Sequence, residues 1–177
     1  MIGCPRAGDD GHMTDKKQLL TTFLPIAVLQ AETRDAAEAV PQHQLFDGMV
    51  CIKRLPFRIG RESRVKKIDG RIERIERPKL DDREPNNDLY LVDRGHLLNI
   101  SREHLRIEID GEAFSLVDRG SACGTKVNGE PVGGEDQGGR KILKDGDIIT
   151  IGTLESPYRF RFLDLRGFTV AAGDQHH

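Results

Sequence analysis

The sequence has no tryptophan, only three cysteines and no long apolar run, and the last two shortages each exclude a class of protein. Cys4, Cys51 and Cys123 are an odd number without CxxC spacing, so we expect neither a disulfide framework nor a structural zinc site. The longest apolar run, residues 23–29, is far too short to cross a bilayer, and residues 1–7 lack the apolar core of a secretory signal. We therefore predict a protein of the reducing cytoplasm that has no membrane partner.

A strong excess of either charge sign is also missing. The 27 basic and 29 acidic residues give a formal net charge of −2, which does not supply the broad basic surface that duplex nucleic acid requires. We expect no nucleic-acid partner, and any affinity for phosphate must come from a local site.

The motifs of the common enzyme classes are absent as well. Residues 133–141 are glycine-rich but do not fit GxxxxGKS/T, and the chain has no GxGxxG before a helix, no HExxH, no GxSxG and no EF-hand loop. No carboxylates form a pair in an apolar setting, and no base is identifiable beside Cys123. We predict no catalytic residue, no metal site and no cofactor, and hence a protein that is not an enzyme.

The chain does have the alternating apolar and polar residues that are typical of strands. Residues 105–109 alternate strictly, Asp-Gly at 110–111 favours a hairpin turn, and the alternation returns at residues 158–162. Short strands at this spacing, with turn residues between them, predict an all-β fold, an antiparallel β-sandwich.

The length of 177 residues allows one domain with a real core. We place a flexible segment at residues 1–22, in which Gly11-His12-Met13 resembles a cloning remnant, and a C-terminal tail at residues 166–177. The sandwich occupies residues 23–165, with insertions at about 31–48 and 63–87. The oligomeric state is left open.

Both insertions have a distinctive composition. Residues 31–44 are rich in Ala and Glu and predict a short helix or an ordered loop between the first two strands. Residues 63–87 are highly charged and predict a surface loop, with a contact arm for a partner as the alternative.

The pentapeptide Leu-Val-Asp-Arg-Gly occurs twice, at residues 91–95 and 116–120. We interpret both copies as strand exits with similar turn chemistry, rather than as a duplicated functional element.

Three short motifs each follow an apolar run, and we expect each at the end of a strand: Gly60-Arg61-Glu62, Ser101-Arg102-Glu103-His104, and residues 124–129. Together they bring arginines, a hydroxyl and glycine-rich backbone to loop positions. An arginine fork, a hydroxyl and unpaired backbone N–H groups are the groups that hold a phosphate.

In this order and setting the motifs resemble those of the forkhead-associated (FHA) domain, and the resemblance extends over residues 23–165. It implies a β-sandwich of FHA type that binds phosphothreonine in a partner protein, which would be a target of a Ser/Thr kinase. It also implies recognition rather than catalysis.

The resemblance assigns roles residue by residue. Arg61 would contact the phosphopeptide, the Ser101 hydroxyl would donate to the phosphate, and Arg102 would supply a second phosphate contact. His104 would brace the loops without touching phosphate. The remaining matched positions would shape or support the binding loop, with Asn128 either a scaffold residue or a peripheral contact: Gly60, Gly124, Thr125, Asn128 and Gly129.

One motif departs from the family. Where FHA domains frequently have Ser-Thr-Asn-Gly-Thr, this chain has Ser-Ala-Cys-Gly-Thr at residues 121–125. Ala122 and Cys123 therefore stand at phosphopeptide-binding positions but make the family's hydrogen bonds poorly. We expect a lower affinity, with Arg119 as a candidate to compensate. The alternative is a phosphate-independent interaction or self-association module on the same fold.

Overall fold

The computed structural model describes residues 23–62, 65–68, 71–74, 85–94 and 98–168. It has thirteen strands among these residues, and a short helix, α1 (Arg34–Ala39), is followed by a single 3-10 turn, Gln42–Gln44. The strands are β1 (Ala27–Ala31), β2 (Met49–Ile52), β3 (Phe57–Arg61), β4 (Val65–Ile68), β5 (Arg71–Arg74), β6 (Leu89–Leu91), β7 (Leu105–Asp110), β8 (Ala113–Asp118), β9 (Thr125–Val127), β10 (Glu130–Gly133), β11 (Gly139–Leu143), β12 (Ile148–Ile151) and β13 (Arg159–Asp164).

The strands form two main sheets, which confirms the predicted sandwich. One sheet has the order β10-β9-β12-β13-β1-β2, and the other has the order β11-β8-β7-β3-β6. Neighbouring strands are antiparallel except for β3 and β6, which run parallel. Parallel neighbours require a crossover connection, and the charged insertion provides it between these two strands.

The core lies between the two sheets and follows the predicted alternation. Leu105 and Ile107 of β7 are fully buried, whereas Ile109 is exposed near the end of that strand. Phe114 and Phe162, from opposite sheets, meet edge to face with ring centroids 5.0 Å apart. These buried side chains hold the sheets together and leave the connecting loops at the ends of the sandwich.

The first insertion contains the predicted helix. Thr33 caps α1, because its Oγ1 accepts a hydrogen bond from the Ala36 N–H at 3.1 Å, and Ala36 and Ala39 are buried. In this part of the chain the helical alternative is confirmed.

The second insertion differs from the predicted loop. Residues 65–68 and 71–74 pair as an antiparallel two-stranded sheet. At the end of the insertion, Asn87 is buried. The prediction of a loop was therefore wrong for the two paired strands, and the prediction of a surface position was wrong for Asn87.

None of the helices in the described ranges is long and apolar enough to cross a membrane.

Candidate functional site

Two hydrogen bonds join the first two sequence motifs and the loop that leads into the third at one end of the sandwich. The Arg61 N–H donates to the Ser101 carbonyl at 2.9 Å, and the Ala122 N–H donates to the Ser101 Oγ at 3.0 Å. Ser101 therefore lies at the centre of three chain segments: the end of β3, the turn before β7 and the loop between β8 and β9. The structure brings Arg61, Ser101 and Ala122 together. The prediction that each motif begins at the end of a strand holds only for the first, since Ser101 precedes β7 and Gly124 precedes β9.

The side chain of Arg61 is half-buried, and a backbone carbonyl holds it in place. Its Nε donates to the Ile100 carbonyl at 2.9 Å, which fixes the orientation of the guanidinium beside Ser101. Arg61 is the last residue of β3, so its backbone is also fixed by the sheet.

Close packing, and not a bend in the chain, requires glycine at position 60. It lies inside β3 and is not among the residues with positive φ, so no sharp bend occurs there. A Cβ at this position would lie 2.0 Å from the Arg102 carbonyl oxygen and 2.6 Å from the Asn87 Nδ2. Glycine is required because the turn before β7 packs directly against the strand.

Ser101 and Arg102 offer donors on the outer side of this turn. The Ser101 Oγ already accepts a hydrogen bond, so its own O–H is directed to donate elsewhere. Arg102 is exposed, and in the described part of the chain its guanidinium has no hydrogen-bond or ion-pair partner.

His104 is fully buried, and its ring bonds to two of the three segments. Its Nδ1 accepts from the Ser101 N–H at 2.9 Å, so its Nε2 carries the proton and donates to the Gly124 carbonyl at 3.0 Å. Burial lowers the pKa of His104, which favours this neutral form. The ring is therefore a brace between the loops, as the resemblance implied.

Gly124 and Thr125 hold the inner side of the loop between β8 and β9. Gly124 has a φ of +78°, and a Cβ on it would lie 2.3 Å from the Gly133 carbonyl oxygen. Its own carbonyl accepts from both His104 and the Gly152 N–H, the latter at 2.8 Å. Thr125 is buried, and its hydroxyl donates to Asp118 at 2.6 Å.

Asn128 and Gly129 form the turn between β9 and β10, both with positive φ. The Asn128 side chain donates to Asp147 at 2.8 Å and accepts from the Ile148 N–H at 2.9 Å. This turn lies at the far end of β9 from Gly124, which makes Asn128 a scaffold residue and leaves it outside the cluster around Ser101.

Ala122 and Cys123 complete the loop without polar side-chain contacts of the family type. Ala122 is exposed and contributes its backbone N–H to Ser101. The Cys123 thiol donates to the Leu98 carbonyl at 3.3 Å. No group of three potential metal ligands occurs within the described ranges.

Sequence reasoning missed the buried carboxylate that shapes this loop. Asp118 accepts from the N–H groups of Gly120 and Ser121 on one oxygen, at 3.0 and 2.8 Å. Its other oxygen accepts the hydroxyls of Ser121 and Thr125 at 2.7 and 2.6 Å. The signal was present in the second copy of the pentapeptide, where the aspartate precedes a glycine and a serine at residues 120–121, since an aspartate at a turn accepts hydrogen bonds from the backbone two or three residues later.

Sequence reasoning also missed Asp93, from the first copy of the pentapeptide. It accepts from the N–H groups of Asn99 and Ile100 at 2.7 and 3.0 Å, immediately before Ser101. Its second oxygen accepts from the Tyr158 hydroxyl at 2.9 Å. Burial and this hydrogen bond raise the pKa of Tyr158 to about 12.

Asn87 and Arg119 form a third contact behind the turn. The Asn87 Nδ2 donates to the Arg102 carbonyl at 2.8 Å, and its Oδ1 accepts from Arg119 at 3.0 Å. The same guanidinium donates to Glu103 at 3.0 Å. Arg119 is therefore engaged in the framework behind the loops, which is a different place from the one expected for a substitute phosphate ligand.

Comparison with known proteins assigns the family. A family model described as the FHA domain matches residues 57–152, more than half of the chain, and this chain belongs to the FHA domain family.

Curated relatives match over 85 residues, or 48% of this chain. The glycogen accumulation regulator GarA of Mycolicibacterium smegmatis is 35% identical there, over 44% of its own length. The oxoglutarate dehydrogenase inhibitor of Corynebacterium jeikeium is 34% identical over 48% of its length. The chain thus spans about half the length of these relatives.

Solved structures are similar at lower identity. The FHA domain of an Arabidopsis thaliana hypothetical protein is 19% identical, with a TM-score of 0.47, over 84% of this chain and 92% of that one. Mycobacterium tuberculosis EmbR, in complex with a low-affinity phosphopeptide, is 19% identical, with a TM-score of 0.44, over 82% of this chain and 26% of that one. The family assignment rests on the family model, and the fold on the strand order.

Proposed function

We propose that the chain is a phosphothreonine-dependent protein-binding module that docks a phosphorylated partner through the loops around Ser101. The observation that carries the proposal is the convergence of Arg61, Ser101 and Ala122 in one hydrogen-bonded cluster at the end of a sandwich of the FHA family. Arg102 extends from the same turn into solvent.

The cluster suits a phosphate dianion chemically. Phosphothreonine carries about 1.5 to 2 negative charges and three acceptor oxygens. The Ser101 hydroxyl donates outward because its oxygen accepts from Ala122, and the Arg61 and Arg102 guanidinium groups form charge-assisted hydrogen bonds. An unmodified threonine offers these donors no anion, so phosphorylation acts as the switch.

Preorganisation supports the same conclusion. Sheet pairing holds the backbone of Arg61, His104 holds the Ser101 N–H, and Asp93 holds the residues just before it. A ligand that binds donors already in place does not have to supply the free energy of ordering them.

The Ala122-Cys123 departure makes this module more dependent on its arginines. Alanine has no side-chain donor, and the Cys123 thiol is directed to the Leu98 carbonyl. We infer an affinity below that of a family member with Thr and Asn at these positions.

The proposal includes neither catalysis nor a cofactor, and it names a partner phosphorylated by a Ser/Thr kinase. It also includes a cytoplasmic location, which the free thiols of Cys51 and Cys123 favour because free thiols persist in a reducing compartment.

Titration with an oriented peptide library tests the proposal. Wild-type protein should bind phosphothreonine peptides and not their unmodified versions, and Arg61→Ala should weaken binding by about 10- to 100-fold, the effect of losing a charged hydrogen bond. Arg58→Ala is the matched control, since Arg58 lies on the same strand and pairs with Asp88 instead. Equal binding of phosphorylated and unmodified peptides would refute phosphate dependence.

The second candidate is a phosphate-independent interaction module, which the Ala122-Cys123 departure favours. In that case the insertion at residues 63–87, which contains the β4–β5 pair, is the best candidate for the contact. Replacing the insertion with a short glycine-serine linker should then abolish partner binding, while threonine phosphorylation leaves it unchanged.

A further inference from the structure

A buried side-chain pair lies behind the turn that carries Arg102. We propose that Asn87 and Arg119 are positioning residues, which hold the backbone of Arg102 in the phosphate-binding geometry without touching phosphate themselves. This inference rests on the proposed function.

Asn87 holds the Arg102 carbonyl from the interior of the domain. Asn87 is 2% exposed, and its Nδ2 donates to that carbonyl at 2.8 Å. The contact is possible only because Gly60 has no Cβ, which would clash with both groups. The peptide group after Arg102 is therefore held from behind by one buried amide.

Arg119 sets the orientation of the Asn87 amide. An asparagine side chain can present either its NH₂ group or its oxygen to a neighbour, and only the NH₂ group can bond to a carbonyl. The Arg119 guanidinium donates to the Asn87 Oδ1 at 3.0 Å and to the preceding Asn86 carbonyl at 3.2 Å. Because arginine has no acceptor, this contact selects the amide orientation that bonds to Arg102.

Arg119 also contacts the turn directly, at Glu103. The second terminal nitrogen of Arg119 donates to Glu103 Oε2 at 3.0 Å, so one guanidinium contacts both Asn87, which holds the Arg102 carbonyl, and Glu103, the residue that follows Arg102. Its side chain is only 16% exposed. A planar fork suits this double contact, which the single ammonium of lysine would not reproduce.

The consequence concerns the entropy of binding. Ser101 is fixed by Arg61, His104 and Ala122, and the Asn87–Arg119 pair extends that order through the next peptide group. The backbone that carries the exposed Arg102 side chain is then already ordered before phosphate binds. Without the pair, the turn would have to be ordered on binding, and part of the phosphate affinity would be lost.

The experiment uses the tightest phosphothreonine peptide from the library titration and measures its Kd for each variant, with thermal unfolding measured in parallel. Asn87→Ala should weaken binding by about tenfold, as expected for one lost buried hydrogen bond. Arg119→Lys should weaken it by about threefold to tenfold. Arg94→Lys, the corresponding residue of the other pentapeptide, should stay within about twofold of wild type.

A double-mutant cycle separates positioning from general destabilisation. If Asn87 acts through Arg102, the effect of Asn87→Ala should fall to about twofold or less in an Arg102→Ala background. Additive losses would overturn the inference. If Asn87→Ala does not fold, the same cycle is run with Arg119→Lys.

The outcomes also separate this inference from the proposed function. Wild-type binding that depends on phosphate and Arg61, with Asn87→Ala and Arg119→Lys both within about twofold of wild type, refutes positioning and leaves the function standing. Wild-type protein that does not distinguish phosphorylated from unmodified peptide refutes the function itself, and the inference with it.

Discussion

The two copies of Leu-Val-Asp-Arg-Gly have the same sequence and share only part of their role. In both, the aspartate accepts two backbone N–H groups from a loop of the candidate site: Asp93 before Ser101, and Asp118 before Ala122. The arginines differ. Arg94 is 69% exposed and lies 3.7 Å from Glu38, whereas Arg119 is 16% exposed and holds Asn87 and Glu103.

The local sequence sets the role of each aspartate, whereas burial in the fold sets the role of each arginine. An aspartate at a strand exit caps the backbone that follows it, whichever copy it belongs to. The arginine has no such local partner, so burial decides its role. An exposed ion pair contributes little to stability, whereas a buried fork between two loops becomes part of the framework.

The largest expected effect distinguishes the two aspartates. Asp118→Ala should lower the free energy of unfolding by about 3 kcal/mol or more, because it leaves two backbone N–H groups and two hydroxyls without their acceptor. Asp93→Ala should cost about 1 to 2 kcal/mol, since Asp93 is only half-buried. Urea unfolding of both variants measures the difference, and equal losses would contradict the comparison.

A slightly smaller loss of stability is expected from a change at Gly60, which lies beside Asn87 and the Arg102 carbonyl. Gly60→Ala places a methyl group within 2.0 Å of the Arg102 carbonyl oxygen, and overpacking of this kind costs about 1 to 3 kcal/mol. The variant should also lose phosphopeptide affinity, because the turn must move. Unchanged thermal stability together with unchanged binding would show that the turn adapts without cost.

The acid sensitivity of the fold is the next prediction. His104 is buried and neutral, and its pKa lies below its ordinary value of 6.5. The unfolded chain therefore takes up this proton first, and stability falls as the pH drops below about 6.5, by up to about 1.4 kcal/mol per pH unit.

The control for this prediction is His104→Gln, in which the contribution of His104 to the pH dependence of stability is absent. Urea unfolding of both proteins between pH 7.5 and 5 measures the difference in slope. Parallel slopes would show that His104 is protonated equally in the folded and unfolded chains.

The smallest effect concerns the first copy alone. Tyr158→Phe removes the hydroxyl that donates to Asp93 and accepts from the Arg94 N–H at 3.1 Å, and should cost about 1 kcal/mol. Because the pKa of Tyr158 is raised to about 12, above its ordinary 10, the hydroxyl's contribution is present below pH 10 and is lost as the pH rises through 12. Urea unfolding at pH 8 is the measurement, and a loss as large as that of Asp118→Ala would contradict the ranking.

The parts of the fold that could be predicted have a local signal. Strand alternation at residues 105–109, the turn at 110–111 and the order of the three motifs were readable because each depends on neighbouring residues. The bracing role of His104 came from the family resemblance, and its hydrogen bonds are consistent with it. The phosphate-binding roles of Arg61, Ser101 and Arg102 remain predictions.

The parts that could not be predicted depend on contacts between distant residues. Nothing near Asn87 indicates that it bonds to a carbonyl fifteen positions later, and nothing near Gly60 indicates that this carbonyl is what excludes a side chain. The β4–β5 pair is different, since Asp69-Gly70 is a recognised hairpin signal that the charged composition of the insertion obscured.

The pairing of the first and last strands of the sandwich has a mechanical consequence. Ala27 of β1 is opposite Asp164 of β13, and the two strands run antiparallel from there to Ala31 and Phe160. A force that pulls the two ends of the domain apart would therefore open this ladder one pair at a time, as a zipper opens, rather than shear all its hydrogen bonds at once. Opening would begin at the pole opposite the Ser101 loops, so those loops should keep their arrangement until the first pairs have separated.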